Sequence, residues 1–401
     1  MNEYLVERKQ PDARTIWLAR LKSGRWLWMP LLAFVLSRFG IALVVYVTVP
    51  LVTDSDVPPY HYRPDNVFLD VFGSRWDTGF YLSVADEGYE YEGVQFPSVA
   101  FFPLLPLLIR AVTSLTGDSL VAGLIITNVS LYGAMVLLYR LVEDEWGAAT
   151  ADRAVWYMLI FPMSFFGSAI YSESLFLLCA IGALYFARRG YWESAAMLGV
   201  ATALTRMIGA ILAPMLLIEW WMQRRQRPPE ARPTLVALLA PLAVPLGTGA
   251  YALYLQRKFG DALAFIKAHA AWDRVPRSPL EVASDLLQPP PDGWGAALLT
   301  GRLPLNEWND LLVVLAFFAL GCAILLQRRW SEGLYVLLGT LIPLTSGLLL
   351  SQRRYMWVLF PAFILLARWG ERPWVDRAIN TLWLLGLGVF TAMFANWYWV
   401  A

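Results

Sequence analysis

Carboxylates, arginines and aromatic residues occur together in four short stretches of the chain, each at the edge of an apolar run. The stretches are SRWDTGFYLSVADEGY (Ser74 to Tyr89), YSES (Tyr171 to Ser174), LTR (Leu204 to Arg206) and SQRRY (Ser351 to Tyr355). A carboxylate can take a proton from a hydroxyl group, and arginines can bind phosphate oxygens through their planar fork. These residue types therefore suit chemistry on a phosphorylated substrate.

The composition is that of a membrane protein. Of the 401 residues, 58% are hydrophobic and 16% are charged, whereas soluble domains usually carry about 25% charged residues. The apolar residues come in long runs separated by short charged loops, as expected for a chain that crosses a bilayer many times. The formal net charge of +1 gives no indication of nucleic-acid binding.

The apolar runs predict an all-α, multi-pass membrane protein with about eleven spans. About 20 apolar residues suffice for one crossing. The first 25 residues carry six basic side chains and form a tail, and the apolar run after them is too long for the core of a signal peptide. The predicted spans are residues 26–52, 119–140, 154–170, 172–187, 191–206, 207–222, 234–256, 308–327, 334–350, 356–369 and 377–398.

The segment 96–117 decides the topology, because counting it as a span would reverse every later loop. It contains three prolines and Arg110, so we interpret it as an interfacial helix. The short loops on the side of the N-terminal tail then carry 19 of the 32 basic residues, which makes that side cytoplasmic. The chain is thus read as a tail (1–25) and one membrane domain (26–401), with outer loops at about 53–117 and 257–310.

With this topology the four polar stretches converge on the outer face. Charged side chains at membrane depth are costly, so their convergence points to a functional site. The candidate catalytic residue is Asp77, and the candidate substrate-binding residues are Arg75, Trp76, Tyr81, Glu173, Arg206, Arg353, Arg354 and Tyr355. A structural alternative remains open, in which Glu173 only pairs with Arg206, the adjacent arginines bind lipid headgroups and the aromatics form an interfacial belt.

Several classes of site are disfavoured. The sequence has no glycine-rich phosphate loop, no HExxH and no CxxC, and His61 and His269 are far apart. The DSD at Asp54 to Asp56 resembles the metal-binding motif of nucleotide-sugar transferases but has no soluble nucleotide-binding fold around it, and Arg38 within the first span is interpreted as a packing residue. We predict neither a metal ion nor a cofactor.

The ordered motifs of the chain resemble the PIG-V-like mannosyltransferases of the GT-C glycosyltransferase superfamily. The motifs are RWDTGFYLSVADEGY, FFPLLP, FPMSFFGSAIYSESLFLL, ALTRMIGA, FGDALAFIKAHAAW and SQRRYMWVLFPAF, from Ser74 to about Phe363. The resemblance implies a GT-C-like fold with interfacial helices in the first outer loop and a polyprenyl- or dolichyl-phosphate sugar donor. It also implies an acceptor on the non-cytoplasmic face and an acidic residue of the first outer loop, matched here by Asp77, as catalytic base.

The sequence therefore predicts an integral-membrane inverting glycosyltransferase that moves a sugar, with mannose as first choice. Its expected partners are a polyprenyl-phosphate sugar donor, a glycolipid, glycan or protein acceptor, and the bilayer, which is the inner membrane if the source is bacterial. Two alternatives remain: a transporter or flippase of lipid-linked sugar, and a non-catalytic subunit of a transferase complex. The first would favour paired repeats with polar residues near the bilayer midplane, and the second would not need both the Asp and the Arg pair.

Overall fold

A computed structural model describes residues 24–52, 63–291 and 293–400. Most of the N-terminal tail, the DSD at Asp54 to Asp56, and His61 lie outside the described residues. Within them the regular structure is entirely helical. This agrees with the predicted all-α class.

Nineteen α-helices occur in the described part of the chain, joined by short turns and 3₁₀ segments. They are α1 (Arg25–Thr48), α2 (Val67–Ser74), α3 (Thr78–Asp86), α4 (Leu104–Thr116), α5 (Ser119–Trp146), α6 (Ala148–Ile160), α7 (Glu173–Arg188), α8 (Trp192–Thr205), α9 (Leu212–Gln226), α10 (Leu239–Ala243), α11 (Pro245–Phe259), α12 (Ala264–Lys267), α13 (Pro279–Leu286), α14 (Gly293–Leu299), α15 (Leu305–Leu326), α16 (Trp330–Leu344), α17 (Gln352–Trp357), α18 (Phe360–Trp369) and α19 (Pro373–Ala395).

Four of these helices are long and apolar enough to cross a membrane, namely α1, α5, α15 and α19. A fifth candidate is the pair Val236–Ala243 and Pro245–Phe259, which is bent by 47°. The predicted count of eleven spans is not confirmed, because several apolar runs are broken. The run 154–170, for example, stops being α-helical at Ile160, since Pro162 favours an extended Phe161.

The segment 96–117 contains a 3₁₀ turn (Ser98–Ala100) and the amphipathic helix α4, which is too short to cross a bilayer alone. Its 13 residues span about 20 Å, against a hydrocarbon thickness of about 30 Å. Arg110 on this helix donates hydrogen bonds to the carbonyl oxygens of Ala85 (2.6 Å) and Val84 (3.4 Å). These bonds hold α4 against α3, the helix that follows Asp77.

The helix α7 connects two polar clusters at its opposite ends. Glu173 begins the helix and Arg188 ends it, so the clusters are separated by about 24 Å of helix. At the C-terminal end, where cations are favoured by the helix dipole, Arg188 binds Glu332 (3.0 Å) and Glu145 (3.1 Å). The N-terminal end, around Glu173, faces the polar cavity described below.

Candidate active site

A cavity of about 370 Å³ lies at the N-terminal end of α7. Segments that are far apart in sequence line it: the start of α3, the 3₁₀ turns after α8 and α12, the end of α16, α17 and the C-terminal segment. Its charged lining residues are Asp77, Glu173, Arg206, Arg274 and Arg354. Most of the other lining residues are apolar or aromatic, so the cavity offers both charged and apolar walls.

Two carboxylates and two arginines form a connected network in this cavity. Arg354 donates from Nη1 to Oδ2 of Asp77 at 2.9 Å, and its Nε lies 3.4 Å from Oε1 of Glu173. Arg206 binds the same Oε1 of Glu173. The side chain of Asp77 is 20% exposed, whereas those of Glu173 and Arg354 are 1% and 7% exposed. Asp77 is thus the carboxylate of the network that a substrate can reach most easily.

The backbone around Asp77 is held in a strained and well-fixed geometry. Asp77 stands immediately before α3, and the preceding Trp76 has φ 55°, a left-handed conformation that is unusual for a bulky residue. The backbone N–H of Asp77 donates to the hydroxyl of Tyr171 (3.1 Å), which donates to the carbonyl oxygen of Arg75 (3.2 Å). Strain of this kind persists only where the surroundings enforce it, and it is concentrated at functional sites.

Arg354 lies on the short helix α17, whose start is also left-handed. Ser351, just before the helix, has φ 71°. The guanidinium of Arg354 lies 5.3 Å from the ring centre of Tyr171 and 5.5 Å from that of Tyr355, within the range of cation–π attraction. Ion pairing and aromatic packing together fix this side chain on the cavity wall.

The structure gives the neighbouring Arg353 a different environment. Arg353 is buried, donates from Nε to Asp310 at 3.0 Å and from Nη2 to the carbonyl oxygen of Val400 at 3.0 Å. It does not line the cavity. Of the adjacent arginines that the sequence suggested as a pair, only Arg354 faces the site.

Arg75 and Trp76 likewise lie behind the cavity wall. Arg75 is buried and binds Asp70 at 2.9 Å and the carbonyl oxygen of Ala395. The ring of Trp76 packs edge-to-face on Trp399, with 4.6 Å between ring centres. Trp399 itself lines the cavity, so the C-terminal segment contributes to the site.

Tyr81 and Tyr355, two of the candidate substrate-binding residues, both line the cavity. The hydroxyl of Tyr81 donates to Ser172 at 2.9 Å. Tyr355 is surrounded by Arg206, Arg274 and Arg354, whose guanidinium carbons lie 5.3–5.7 Å from its ring centre. Burial alone would raise the pKa of Tyr355, but the three positive charges lower it below its ordinary value.

Two basic cavity residues, Arg274 and His269, were missed in the sequence, and both come from the segment 257–310, which was predicted to be the second outer loop. Arg274 donates to Ser346 Oγ (2.9 Å) and to the carbonyl oxygen of Leu350 (3.3 Å). Within the described part of the chain it has no carboxylate partner, unlike Arg206 and Arg354. His269 lines the cavity as well. The motif FGDALAFIKAHAAW contains His269, but nothing in the sequence indicates that this loop folds back over the site.

No group of three or more His, Cys, Asp or Glu that could hold a metal ion occurs in the part of the chain that the structure describes. The charged residues of the cavity are mainly arginines, which repel cations. Their arrangement suits an anion, and the apolar walls suit a hydrocarbon chain.

Residues 65–217 match the family model of the mannosyltransferases (PIG-V). This match confirms the resemblance drawn from the motifs and supports a membrane glycosyltransferase. It includes Asp77, Glu173 and Arg206 and ends before Arg274 and Arg354. Among proteins of curated function, none matches the chain significantly.

Among solved structures the chain is similar to an archaeal oligosaccharyltransferase, AglB from Archaeoglobus fulgidus, in complex with an inhibitory peptide and a dolichol-phosphate. The identity is 12% and the TM-score 0.44, over 94% of this chain and 56% of that one. The apo form of the oligosaccharyltransferase gives 12% identity and a TM-score of 0.43, over 93% and 56%. This chain thus spans little more than half the length of these proteins, and TM-scores below 0.5 do not establish a shared fold.

Proposed function

We propose that the protein is an inverting glycosyltransferase that moves a sugar, with mannose as first choice, from a polyprenyl-phosphate donor to an acceptor hydroxyl on the non-cytoplasmic face. The observation that carries the proposal is the cavity, in which one accessible carboxylate faces three arginines between apolar walls. The reaction needs a base, a phosphate-binding group and a surface for the lipid chain, which the carboxylate, the arginines and the apolar walls can supply. The match to the mannosyltransferases (PIG-V) includes the carboxylate, Asp77.

In the proposed reaction the acceptor oxygen attacks the anomeric carbon of the donor sugar. The new C–O bond forms as the bond from the anomeric carbon to the phosphate oxygen breaks, on the opposite face of the sugar. The polyprenyl chain leaves as a monophosphate, and the acceptor proton passes to Asp77. A positioned general base of this kind contributes typically 10²- to 10⁴-fold to a rate.

The arginines would bind the donor phosphate and stabilise the charge that grows on it as it leaves. Arg206 and Arg354 are partly neutralised by Glu173 and Asp77. Among the described residues, the contacts of Arg274 are with neutral groups and with the ring of Tyr355. We therefore propose Arg274 as the main phosphate ligand, with Arg354 and Arg206 beside it. Arg353 is not among the proposed phosphate ligands, because its guanidinium is paired with Asp310.

The apolar part of the cavity would hold the first isoprene units of the donor. Ile208 and Ile211 line it from the 3₁₀ turn after α8, and Ile342 and Pro343 line it from α16. A polyprenyl chain is itself apolar, so these walls can replace its lipid surroundings without exposing it to water. A lipid donor can thus use both parts of the same cavity.

The direct test is label transfer. The purified protein is incubated with radiolabelled polyprenyl-phosphate mannose and a membrane extract as the acceptor source. We expect label to move to the extract, and we expect the Asp77→Asn variant to abolish most of this transfer. The matched control is Asp86→Asn at the other end of α3, where the carboxylate accepts a hydrogen bond from Ser119 (2.9 Å) and does not line the cavity.

Two results would contradict the proposal. If the wild-type protein binds the donor but transfers no label, the cavity serves binding or transport rather than catalysis. If label moves to the acceptor and Asp77→Asn transfers it like Asp86→Asn, the protein is a transferase with a different base.

A further inference from the structure

His269 is a cavity residue with a free hydrogen-bond acceptor. Its Nδ1 lies 2.8 Å from the carbonyl oxygen of Phe265, one helical turn earlier. A carbonyl oxygen can only accept, so Nδ1 must carry the proton of this hydrogen bond. In a neutral imidazole the other nitrogen, Nε2, then has a lone pair, and within the described residues it has no donor partner.

The imidazole is expected to be neutral at physiological pH. Burial is the main cause that lowers the pKa of His269 below its ordinary value, the hydrogen bond to Phe265 opposes this, and the charge of Arg274 lowers it further. The ionisable groups that line the same cavity are Asp77, Tyr81, Tyr171, Glu173, Arg206, Arg274, Arg354 and Tyr355. On its own segment the charged neighbours are Lys267 and Asp273.

Hydrogen-bond donors outnumber acceptors among the charged side chains of this cavity, because it has three arginines and two carboxylates. Its three arginines only donate. Asp77 and Glu173 each accept a hydrogen bond from an arginine, and Oε2 of Glu173 is buried without a partner among the described residues. The oxygens of a phosphate are acceptors, and the arginines can donate hydrogen bonds to them. A sugar ring, in contrast, brings several hydroxyl donors, and each needs an acceptor when it is taken out of water.

We propose that Nε2 of His269 accepts a hydrogen bond from a hydroxyl group of the transferred sugar. This inference rests on the proposed function and deepens it, because it makes His269 a residue that distinguishes a sugar-bearing lipid phosphate from a sugar-free one. The opposite role, an imidazolium that binds phosphate, requires a protonated Nε2. The two roles therefore predict opposite responses to pH.

The test measures binding of two lipids, polyprenyl-phosphate mannose and polyprenyl phosphate, to the purified protein. His269→Phe keeps a ring of similar size but has no acceptor. We expect it to weaken binding of the mannose-bearing lipid about threefold to tenfold, the usual range for one neutral hydrogen bond, and to leave binding of polyprenyl phosphate unchanged. His269→Gln, whose amide oxygen can accept a hydrogen bond, should recover part of the loss.

The matched control is Lys267→Met on the same loop. Lys267 is exposed and binds Asp261 at 2.8 Å, and it does not line the cavity, so its removal should affect neither lipid. Melting temperatures of all variants show whether they are folded. If His269→Phe does not fold, His269→Gln and the pH series of the wild-type protein decide.

The pH series depends on the protonation of His269, whose pKa is lowered by burial. As the pH falls through the lowered pKa of His269, Nε2 becomes protonated and can no longer accept, so the wild-type protein should lose affinity for the mannose-bearing lipid relative to polyprenyl phosphate. Polyprenyl phosphate is a monoester whose second ionisation, with a pKa of about 6, falls in the same range, whereas the mannose-bearing lipid is a diester that stays singly charged. His269→Phe and His269→Gln do not titrate at this position and record the contribution of the lipid to the ratio. The wild-type protein should show a further loss below the pKa of His269.

Three results would overturn the inference: equal weakening of both lipids in His269→Phe, no weakening of either, or tighter wild-type binding of both lipids as His269 becomes protonated. The proposed function fails differently, through a wild-type protein that binds the donor and transfers no label. The ratio of the two affinities then still decides the role of His269.

Discussion

Arg353 and Arg354 are adjacent in the chain, but their guanidinium groups have different partners. Arg354 contacts Asp77 at 2.9 Å and Glu173 at 3.4 Å on the cavity wall. Arg353 contacts Asp310 at 3.0 Å, and both of these side chains are 3% exposed. Replacing each arginine by lysine keeps the charge and removes the fork, so the two variants separate a binding role from a structural one.

For Arg354→Lys we expect weaker donor binding with the fold intact. A charge-assisted hydrogen bond is worth roughly 1.5–3 kcal/mol, which corresponds to a loss of about 10- to 150-fold in donor affinity. In Arg353→Lys the lost hydrogen bond is one that joins α17 to Asp310 on α15 or to the C-terminal segment, so the loss lowers the stability of the fold. We expect a destabilisation of roughly 1.5–3 kcal/mol and near-normal donor affinity in the folded protein.

The assay combines two measurements on each purified variant, the affinity for polyprenyl-phosphate mannose and the melting temperature in detergent. The reasoning is refuted if Arg353→Lys loses as much donor affinity as Arg354→Lys while both melt like the wild-type protein. It is also refuted if Arg354→Lys binds the donor normally, since the phosphate would then be held without this fork.

Two other predictions concern the second outer loop and the topology. Gly347→Ala should weaken donor binding, because Gly347 has φ 82° and an added Cβ would collide with the carbonyl oxygen of Val275. The control is Gly93→Ala: Gly93 has φ 77° and open space around the added Cβ, so this variant carries only the conformational cost of about 1–2 kcal/mol. In a variant without native cysteines, a cysteine in place of Glu143 should resist a membrane-impermeant thiol reagent in intact cells, and one in place of Asp65 should react.

Each of these predictions has a clear contradiction. Normal donor affinity in Gly347→Ala would mean that the docking of the loop does not position the phosphate site. Reaction of the cysteine at position 143 from outside the cell would reverse the topology inferred from the basic loops and from segment 96–117.

Much of the site could be predicted because span ends on one face must lie close together. Asp77, Glu173, Arg206 and Arg354 stand at or beside such ends, and the structure brings them into one network. Their types indicated the chemistry, and the order of the motifs indicated the family. Local sequence was sufficient to place these four residues, because each one stands at the end of its own apolar run.

The opposite orientations of Arg353 and Arg354 could not be predicted, because they depend on the left-handed Ser351 and on Asp310, which is far away in the sequence. The roles of Arg274 and His269 depend on how the second outer loop docks. Arg277 N–H, for example, donates to the carbonyl oxygen of Thr345 at 3.2 Å. Such contacts are made between distant segments and leave no periodic pattern in the sequence.

The number of membrane spans also could not be read from the pattern of apolar runs. An apolar run shows that a segment avoids water but not whether it is one helix. The run 334–350 is a single helix only as far as Leu344, and the turn after it carries Gly347 with φ 82°. Breaks of this kind shorten the helices at the cavity end and give the site its irregular walls.

The central claim is that Asp77 takes the proton of the acceptor hydroxyl. The most direct measurement is the single-turnover rate of mannose transfer by Asp77→Asn, compared with Asp86→Asn and the wild-type protein at equal donor occupancy. The account predicts a rate about 10²- to 10⁴-fold lower for Asp77→Asn, with donor binding retained and a wild-type rate for Asp86→Asn. A near-normal rate in folded Asp77→Asn would contradict it, and Glu173 would then be the carboxylate of the cavity to test.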